Sequence, residues 1–141
     1  MAKSIYDLMN TDSSLETNGV WVSYGDYGRF LIARAGGSNA RYLTAMLSKT
    51  KQYRKQLQVQ MNSPDKATID LMRSINIQLM AECILLNWEG VVDRLGAPLP
   101  YSKEAALQLL QDLPELYDSL QAQSTEMANF RNADLEADAK N

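Results

Sequence analysis

The chain has 141 residues, of which 45% are hydrophobic and 22% are charged. This size and composition are typical of one globular domain and suggest neither wholesale disorder nor a membrane protein. The longest apolar runs are too short to span a bilayer. The net charge is −3, but the charges are distributed unevenly along the chain. Residues 27–64 carry seven cations and no acid, whereas residues 104–141 carry eight acids and two cations. Such a chain can attract itself, a second copy or a charged partner; the alternative is two solvated helix faces.

Residues 1–37 are predicted to be an N-terminal segment that contains a β-hairpin. A short helical turn is expected at residues 5–9, followed by a polar loop. Val20, Val22 and Tyr24 alternate with Trp21 and Ser23, and a second run, rich in apolar residues, follows over 29–34. Glycines flank the connection, where a tight reversal needs backbone angles that other residues resist. A two-stranded hairpin is marginal alone, so one face must pack on helices or on another chain.

A helical region is predicted over residues 38–130. Ser38 or Asn39 can cap its first helix, because the following apolar residues mostly recur three or four positions apart. This helix is expected to run to about Gln60.

The second predicted helix is the longest. Ser63 serves as its cap, and Pro64 occupies its first position, where a missing amide hydrogen costs nothing. An apolar stripe from Ile69 to Val92 has the spacing of one helix face and predicts about seven turns. The glycine and prolines of residues 96–100 end this helix, since proline cannot donate the helical hydrogen bond.

The C-terminal part is predicted to contain leucine-rich helices. Ser102 restarts a helix, and Pro114 divides the stretch that follows, so that Asp112 caps another helix that continues to Phe130. Residues 131–141 form an acidic tail that is expected to fray. The predicted fold class is mainly α with an N-terminal β-hairpin, an α+β single domain whose helical part has three to four helices.

The residues offer little for catalysis. The chain has no histidine, the side chain best suited to proton transfer near neutral pH and the commonest metal ligand. The single Cys83 cannot build a metal or redox pair and is interpreted as a buried structural thiol. No phosphate-binding loop is present, and Glu89 with Asp93 is interpreted as a solvated helix face. We therefore expect no enzyme activity, no cofactor and no metal.

The basic middle of the chain raises nucleic-acid binding as an alternative. One predicted helix carries five cations and two tyrosines, and such a stripe can neutralise about four phosphates. These residues are Arg41, Lys49, Lys51, Arg54, Lys55, Tyr42 and Tyr53. However, the whole chain is acidic, with a pI near 4.9, and no zinc-finger, RRM or convincing helix-turn-helix pattern is present. Nucleic-acid binding is therefore the third hypothesis.

An interaction protein is the first hypothesis. Methionine is flexible and polarizable, and surfaces that accept varied apolar helices often use it. The alternative is that these side chains only fill gaps in the core. The methionines that lie within predicted helices include Met46, Met61, Met72, Met80 and Met127.

Three stretches carry short motifs in a fixed order. Residues 15–42 contain Glu-x-x-Gly-Val-Trp and Ile-Ala-Arg-Ala-Gly-Gly-Ser-Asn; residues 87–116 contain Trp-x-Gly-Val, Gly-x-Pro-x-Pro-Tyr-Ser and a leucine helix; residues 129–136 read NFRNADLE. In this order they resemble the small tail assembly chaperones of long-tailed bacteriophages. The resemblance implies a non-enzymatic protein that binds and solubilises the tape measure protein and helps to recruit tail tube subunits. It also implies that the protein acts in the host cytoplasm. The single cysteine and the lack of a visible secretory signal agree with this location.

A structural virion protein, such as a tail completion or connector subunit, is the alternative to the chaperone, because it also combines a hairpin with helices. Self-association is expected for either, since the basic and acidic parts of two copies can attract each other. No membrane partner is expected.

Nine side chains are the candidates for partner binding. The GAPLPYS loop is too short to let its flanking helices diverge, so we expect the leucine helix to fold back over Trp88 and close an apolar groove. The alternative is plain core packing. The candidates are Trp88, Val92, Tyr101, Leu107 and Leu110 from this groove, and Arg41, Tyr42, Lys51 and Arg54 from the basic helix.

Overall fold

The computed structural model describes residues 2–61 and 65–131, in which helices pack around a small antiparallel sheet. No helix in these ranges has both the length and the apolar character required to cross a membrane. The elements are α1 (Ile5–Met9), α2 (Ser13–Asn18), β1 (Val20–Ser23), β2 (Arg29–Ile32), α3 (Ala40–Gln52), α4 (Arg54–Met61), α5 (Lys66–Leu79), a π-helical turn (Met80–Ile84), β3 (Leu85–Glu89), α6 (Lys103–Asp112) and α7 (Pro114–Thr125), with short 3₁₀ turns at Gly25–Tyr27 and Met127–Phe130.

The sheet has the order β1-β2-β3, and both strand pairs are antiparallel. β1 and β2 occupy the two runs in which the sequence predicts a hairpin, but they do not form a separate N-terminal unit. β3 comes from the middle of the chain, where a helix is predicted, and it completes the sheet against β2. The predicted fold class, an N-terminal hairpin with a purely helical domain, is therefore wrong, and the fold is a mixed α+β fold.

A bulge explains why the sequence of β3 has a helical spacing. The pairing with β2 shifts between Leu31 and Ile32, which leaves Leu86 without a partner in the register. Because of this extra residue, Leu85 and Trp88 are both buried although they are three positions apart. The same spacing is typical of one helix face, so the prediction of a single long helix across this region is wrong.

The chain passes from helix to strand through one wide turn. α5 ends at Leu79, and in the π-helical turn the amide of Leu85 bonds to the carbonyl of Met80, five residues earlier. All residues of this turn except Glu82 are buried. The turn therefore belongs to the core and is not a surface connection.

Helix starts follow capping chemistry in several places. The side chains of Asn39 and Ser102 cap α3 and α6, as predicted. The predicted cap at Ser63 with Pro64 lies outside the described residues, and in the described part Asp65 caps α5. These signals are local to one turn, which is why a sequence alone can reveal them.

Other boundaries differ from the predicted ones. The first predicted helix divides at Tyr53 into α3 and α4. Asp112 does not cap α7; Leu113 occupies the cap position without a side-chain hydrogen bond, and Pro114 is the first helical residue. A helix, α2, also forms in the predicted polar loop. Of the predicted acidic tail, residues 132–141 lie outside the described residues.

The core lies between one face of the sheet, the π-helical turn and the pair α6–α7. Apolar side chains from all four regions are fully or almost fully buried there, so the sheet and the C-terminal helices stabilise each other. Its largest members include Phe30, Ile32, Leu85, Trp88, Leu110 and Leu120.

Candidate functional site

The nine predicted partner-binding residues do not converge on one surface. Trp88, Tyr101 and Leu110 lie in or against the core, and Leu107 is half-buried beside it. Val92 is exposed on the segment that follows β3. The remaining four lie on α3 and α4. The candidates therefore belong to separate parts of the molecule.

Trp88 and Tyr101 tie the loop between β3 and α6 to the sheet. The indole Nε1–H of Trp88 donates to the carbonyl of Leu99 at 2.7 Å, and the hydroxyl of Tyr101 donates to the carbonyl of Leu85 at 2.7 Å. The two rings meet edge to face with centroids 5.1 Å apart. Burial raises the pKa of Tyr101 above its ordinary value of 10.0, so the hydroxyl stays a hydrogen-bond donor. Both side chains thus hold the loop in place.

An apolar groove with a volume of about 260 Å³ lies between the β1–β2 turn, the segment after β3 and the junction of α6 with α7. Its mouth is apolar and open, because Tyr27 is 85% exposed, Val92 54% and Leu113 45%. Open apolar surface of this kind marks interaction sites. The residues that line the groove are Tyr24, Tyr27, Phe30, Val91, Val92, Leu109, Leu113 and Leu116.

Sequence reasoning selected Val92 but missed the rest of this groove. Tyr27 lies in a glycine-flanked turn, and Leu113 has the helical spacing of an ordinary core leucine. One signal was available. Leu113 stands directly before Pro114 and occupies the cap position of α7, where a polar side chain normally satisfies the first amides. The Leu113 side chain does not cap α7, and its backbone amide closes α6 by donating to the Leu109 carbonyl, so the side chain is left to line the groove.

Several acidic residues are chain neighbours of the residues that line the groove, and these neighbours are called its border. Asp26, Asp112 and Glu115 are exposed, and each is next in the chain to a residue that lines the groove. None of the three belongs to an ion pair within the described part of the chain. The exposed cations nearby are Arg29, which is paired with Glu89, and Arg94 on the loop after β3. The border is therefore mainly negative and favours a positively charged ligand surface.

The four basic-helix candidates lie on an arm made by α3 and α4. Arg41, Lys51 and Arg54 are exposed and form no ion pair with any described residue. Tyr42 is half-buried and packs against the core. The arm therefore presents free positive charge and is anchored at its beginning.

One face of α3 is also apolar. α3 has no buried residue, although it packs on α5 and on the π-helical turn. Leu43, Leu47 and Lys51 follow each other at intervals of four residues, so they lie on the same side of the helix. Leu43 is 40% exposed and Leu47 is 69% exposed. These three residues are called the arm face below.

A second, polar concavity with a volume of about 630 Å³ lies between α3 and the π-helical turn. Arg41, Lys49, Glu82 and Lys103 line it, and the Lys49 Nζ lies 3.2 Å from a Glu82 carboxylate oxygen. Burial, and then the charge of Glu82, raises the pKa of the Cys83 thiol in its wall, so this cysteine is not an activated nucleophile. No group of three His, Cys, Asp or Glu side chains suited to a metal ion is found within residues 2–61 and 65–131.

A buried ion pair joins the two N-terminal motifs. The carboxylate of Glu16, almost fully buried, accepts hydrogen bonds from the Arg34 guanidinium at 2.5 Å and from the Thr11 hydroxyl at 3.1 Å. Burial alone would raise the pKa of Glu16, but these hydrogen bonds outweigh it and hold the pKa below its ordinary value of 4.5. Gly37 has a φ of +53°, and a Cβ there would lie 1.7 Å from the Glu16 Oε2. These motif residues therefore have a structural role.

A family model described as YdaY prophage protein matches residues 37–141, which is more than half of the chain. The matched range contains the arm, β3, the loop tied by Trp88 and Tyr101, and the helical side of the groove. No curated protein and no solved structure matches the chain.

Proposed function

The chain belongs to the YdaY prophage protein family and is phage-derived, and from this premise we propose that it is a non-enzymatic tail assembly chaperone. In this proposal it binds an apolar helical segment of the tape measure protein, keeps that protein soluble in the host cytoplasm and helps to bring tail tube subunits to it. The likeness of its motifs to those of small tail assembly chaperones supports this role.

The open apolar groove is the observation that carries the proposal. A helix recognised in a groove inserts apolar side chains from one face, and aromatic and aliphatic walls provide the surface that such side chains need. The exposed Met46 on α3 and Met72 on α5 add flexible apolar surface, which suits a partner with a varied sequence. No covalent chemistry is required for this work.

Co-expression with the tape measure protein of the same phage genome tests the proposal. Covering the apolar helices of that protein should move a larger fraction of it into the soluble part of the lysate. An equal insoluble fraction with and without this chain would remove the main support for a chaperone.

Mass spectrometry of purified virions separates the chaperone from a structural virion subunit. A chaperone acts during assembly and should be absent from the finished particle, whereas a tail completion or connector subunit should be present in a fixed copy number. A gel shift with duplex DNA at low and moderate salt addresses the third hypothesis, because binding through Arg41, Lys51 and Arg54 would weaken steeply as salt rises.

A further inference from the structure

We propose that, when no other partner is bound, the groove of one copy receives the arm face of a second copy, so that the protein assembles head to tail. The inference shares the groove with the proposed function, but it does not depend on the identity of any phage partner. It follows from two surfaces that the chain itself leaves uncovered.

The apolar parts of the two surfaces match in kind. A groove that binds a helix takes side chains spaced three or four residues apart on one helix face. Leu43 and Leu47 are four residues apart on α3, and both are exposed. α3 has 13 residues and ends without any buried side chain, so one of its faces is available for packing on a second molecule.

The positive charge of α3 and α4 favours these helices as the segment that occupies the groove of a second copy. These two helices contain no acid, and Lys51, Arg54 and Lys55 are exposed on them without an ion pair to any described residue. The groove border contains Asp26, Asp112 and Glu115, which are exposed and likewise form no ion pair with a described residue. With Leu43 and Leu47 in the groove, Lys51 lies one turn further along and comes next to this border.

α1 and α5 also expose apolar side chains, but they suit the groove less well, because each contains an acid whereas α3 and α4 contain none. The exposed apolar side chains of α1 lie beside Asp7, and those of α5 lie beside Asp70, although α5 also carries Lys66 and Arg73. Asp7 or Asp70 would meet a border of the same charge. Like charges that face each other across an interface cost free energy. The arm face is therefore the better match.

The two surfaces differ, so the contact is heterologous. Each copy contributes its arm face to one neighbour and its groove to another, and repetition gives a ring if the rotation closes or an open chain if it does not. A closed two-fold dimer is not the expected product.

Two variants test the contact without disturbing the fold. The arm variant carries Leu43→Gln, Leu47→Gln and Lys51→Gln, which replace exposed residues with a good helix former. The groove variant carries Val92→Thr, Leu113→Asn and Glu115→Gln; threonine keeps the β-branched shape, and asparagine is a favoured cap residue for α7. The control variant carries Lys66→Gln and Ile69→Gln, the same kinds of change on α5.

Sedimentation velocity at roughly 100 µM should show assemblies larger than a dimer for the wild type and for the control, but monomers for the arm variant and for the groove variant. An equimolar mixture of the arm and groove variants should form a dimer and stop there, because it has one intact groove and one intact arm face. This dimer also verifies that both variants are folded.

Wild-type assembly should weaken at least about tenfold in dissociation constant between 0.1 M and 1 M salt, as screening shortens the reach of the charges from about 10 Å to about 3 Å. This measurement needs no substitution. The inference is overturned if the wild type stays monomeric, if either variant still assembles alone, if the control loses assembly, or if the mixture stays monomeric.

Discussion

The β3–α6 region and the α3–α4 arm both carry apolar side chains at helical spacing, but they bury them to opposite extents. Leu110 on α6 is fully buried, whereas Leu47 on α3 is mostly exposed. The difference comes from the surroundings, because α6 packs on the sheet and the π-helical turn while one face of α3 meets solvent. Function is therefore to be sought where apolar side chains remain uncovered, at the arm face and in the groove.

The largest expected effect is a loss of folding stability when a charge is placed among the buried side chains of α6. Leu110→Asp should unfold the protein, because an unpaired charge in the core costs roughly 4 kcal/mol or more, a large share of the stability of a small domain. Circular dichroism and thermal melting measure it. Leu47→Asp makes the same chemical change on the arm and should keep the melting temperature within about 5 °C of the wild type. A folded Leu110→Asp protein would contradict the assignment of Leu110 to the core.

The same contrast holds for ion pairs. Glu16→Gln should lower the free energy of unfolding by about 3 kcal/mol, since it leaves the Arg34 guanidinium without its buried partner. Glu89→Gln, which removes the partner of Arg29 in an exposed pair, should cost no more than about 1 kcal/mol. Urea titrations of both variants provide the comparison, and equal losses would mean that burial does not distinguish the two pairs.

The pH dependence of stability should report the Glu16 pair. Its folded pKa is held below the ordinary value of 4.5, so its contribution to stability is present above pH 4.5 and is lost as the pH falls through the folded pKa. Urea midpoints of the wild type should therefore decrease below pH 4.5 more steeply than those of Glu16→Gln. Parallel curves for the two proteins would show that Glu16 is not the responsible group.

A smaller effect is expected where a hydroxyl ties the loop to the sheet. Tyr101→Phe removes the hydrogen bond to the Leu85 carbonyl and should cost about 1 kcal/mol. Tyr27→Phe removes a hydroxyl from an exposed ring and should stay within about 0.5 kcal/mol of the wild type. Thermal melts at matched protein concentration can distinguish these two changes in stability. If Tyr101→Phe melts at the same temperature as the wild type, the Tyr101 hydroxyl does not stabilise the loop.

The sequence predicts features that depend on a few adjacent residues. The caps at Asn39 and Ser102 follow from one side chain and the next turn of backbone, and the first two strands follow from alternation between glycines. β3 escaped prediction because the bulge at Leu86 gives its buried residues a helical spacing. The groove escaped because three segments distant in the chain form it, and a residue such as Leu113 has the same local pattern whether a neighbour covers it or not.

The central claim is that the groove is the functional surface. Its most direct test is co-expression with the tape measure protein, repeated with matched leucine variants. Leu113→Asn, combined with Val92→Thr, makes the groove polar while keeping a good cap for α7. Leu8→Asn changes a comparably exposed leucine on α1, away from the groove. We predict that Leu8→Asn keeps the tape measure protein as soluble as the wild type does, whereas the groove variant, folded by circular dichroism, lets it precipitate. A folded groove variant that solubilises the tape measure protein as well as the wild type would contradict the account.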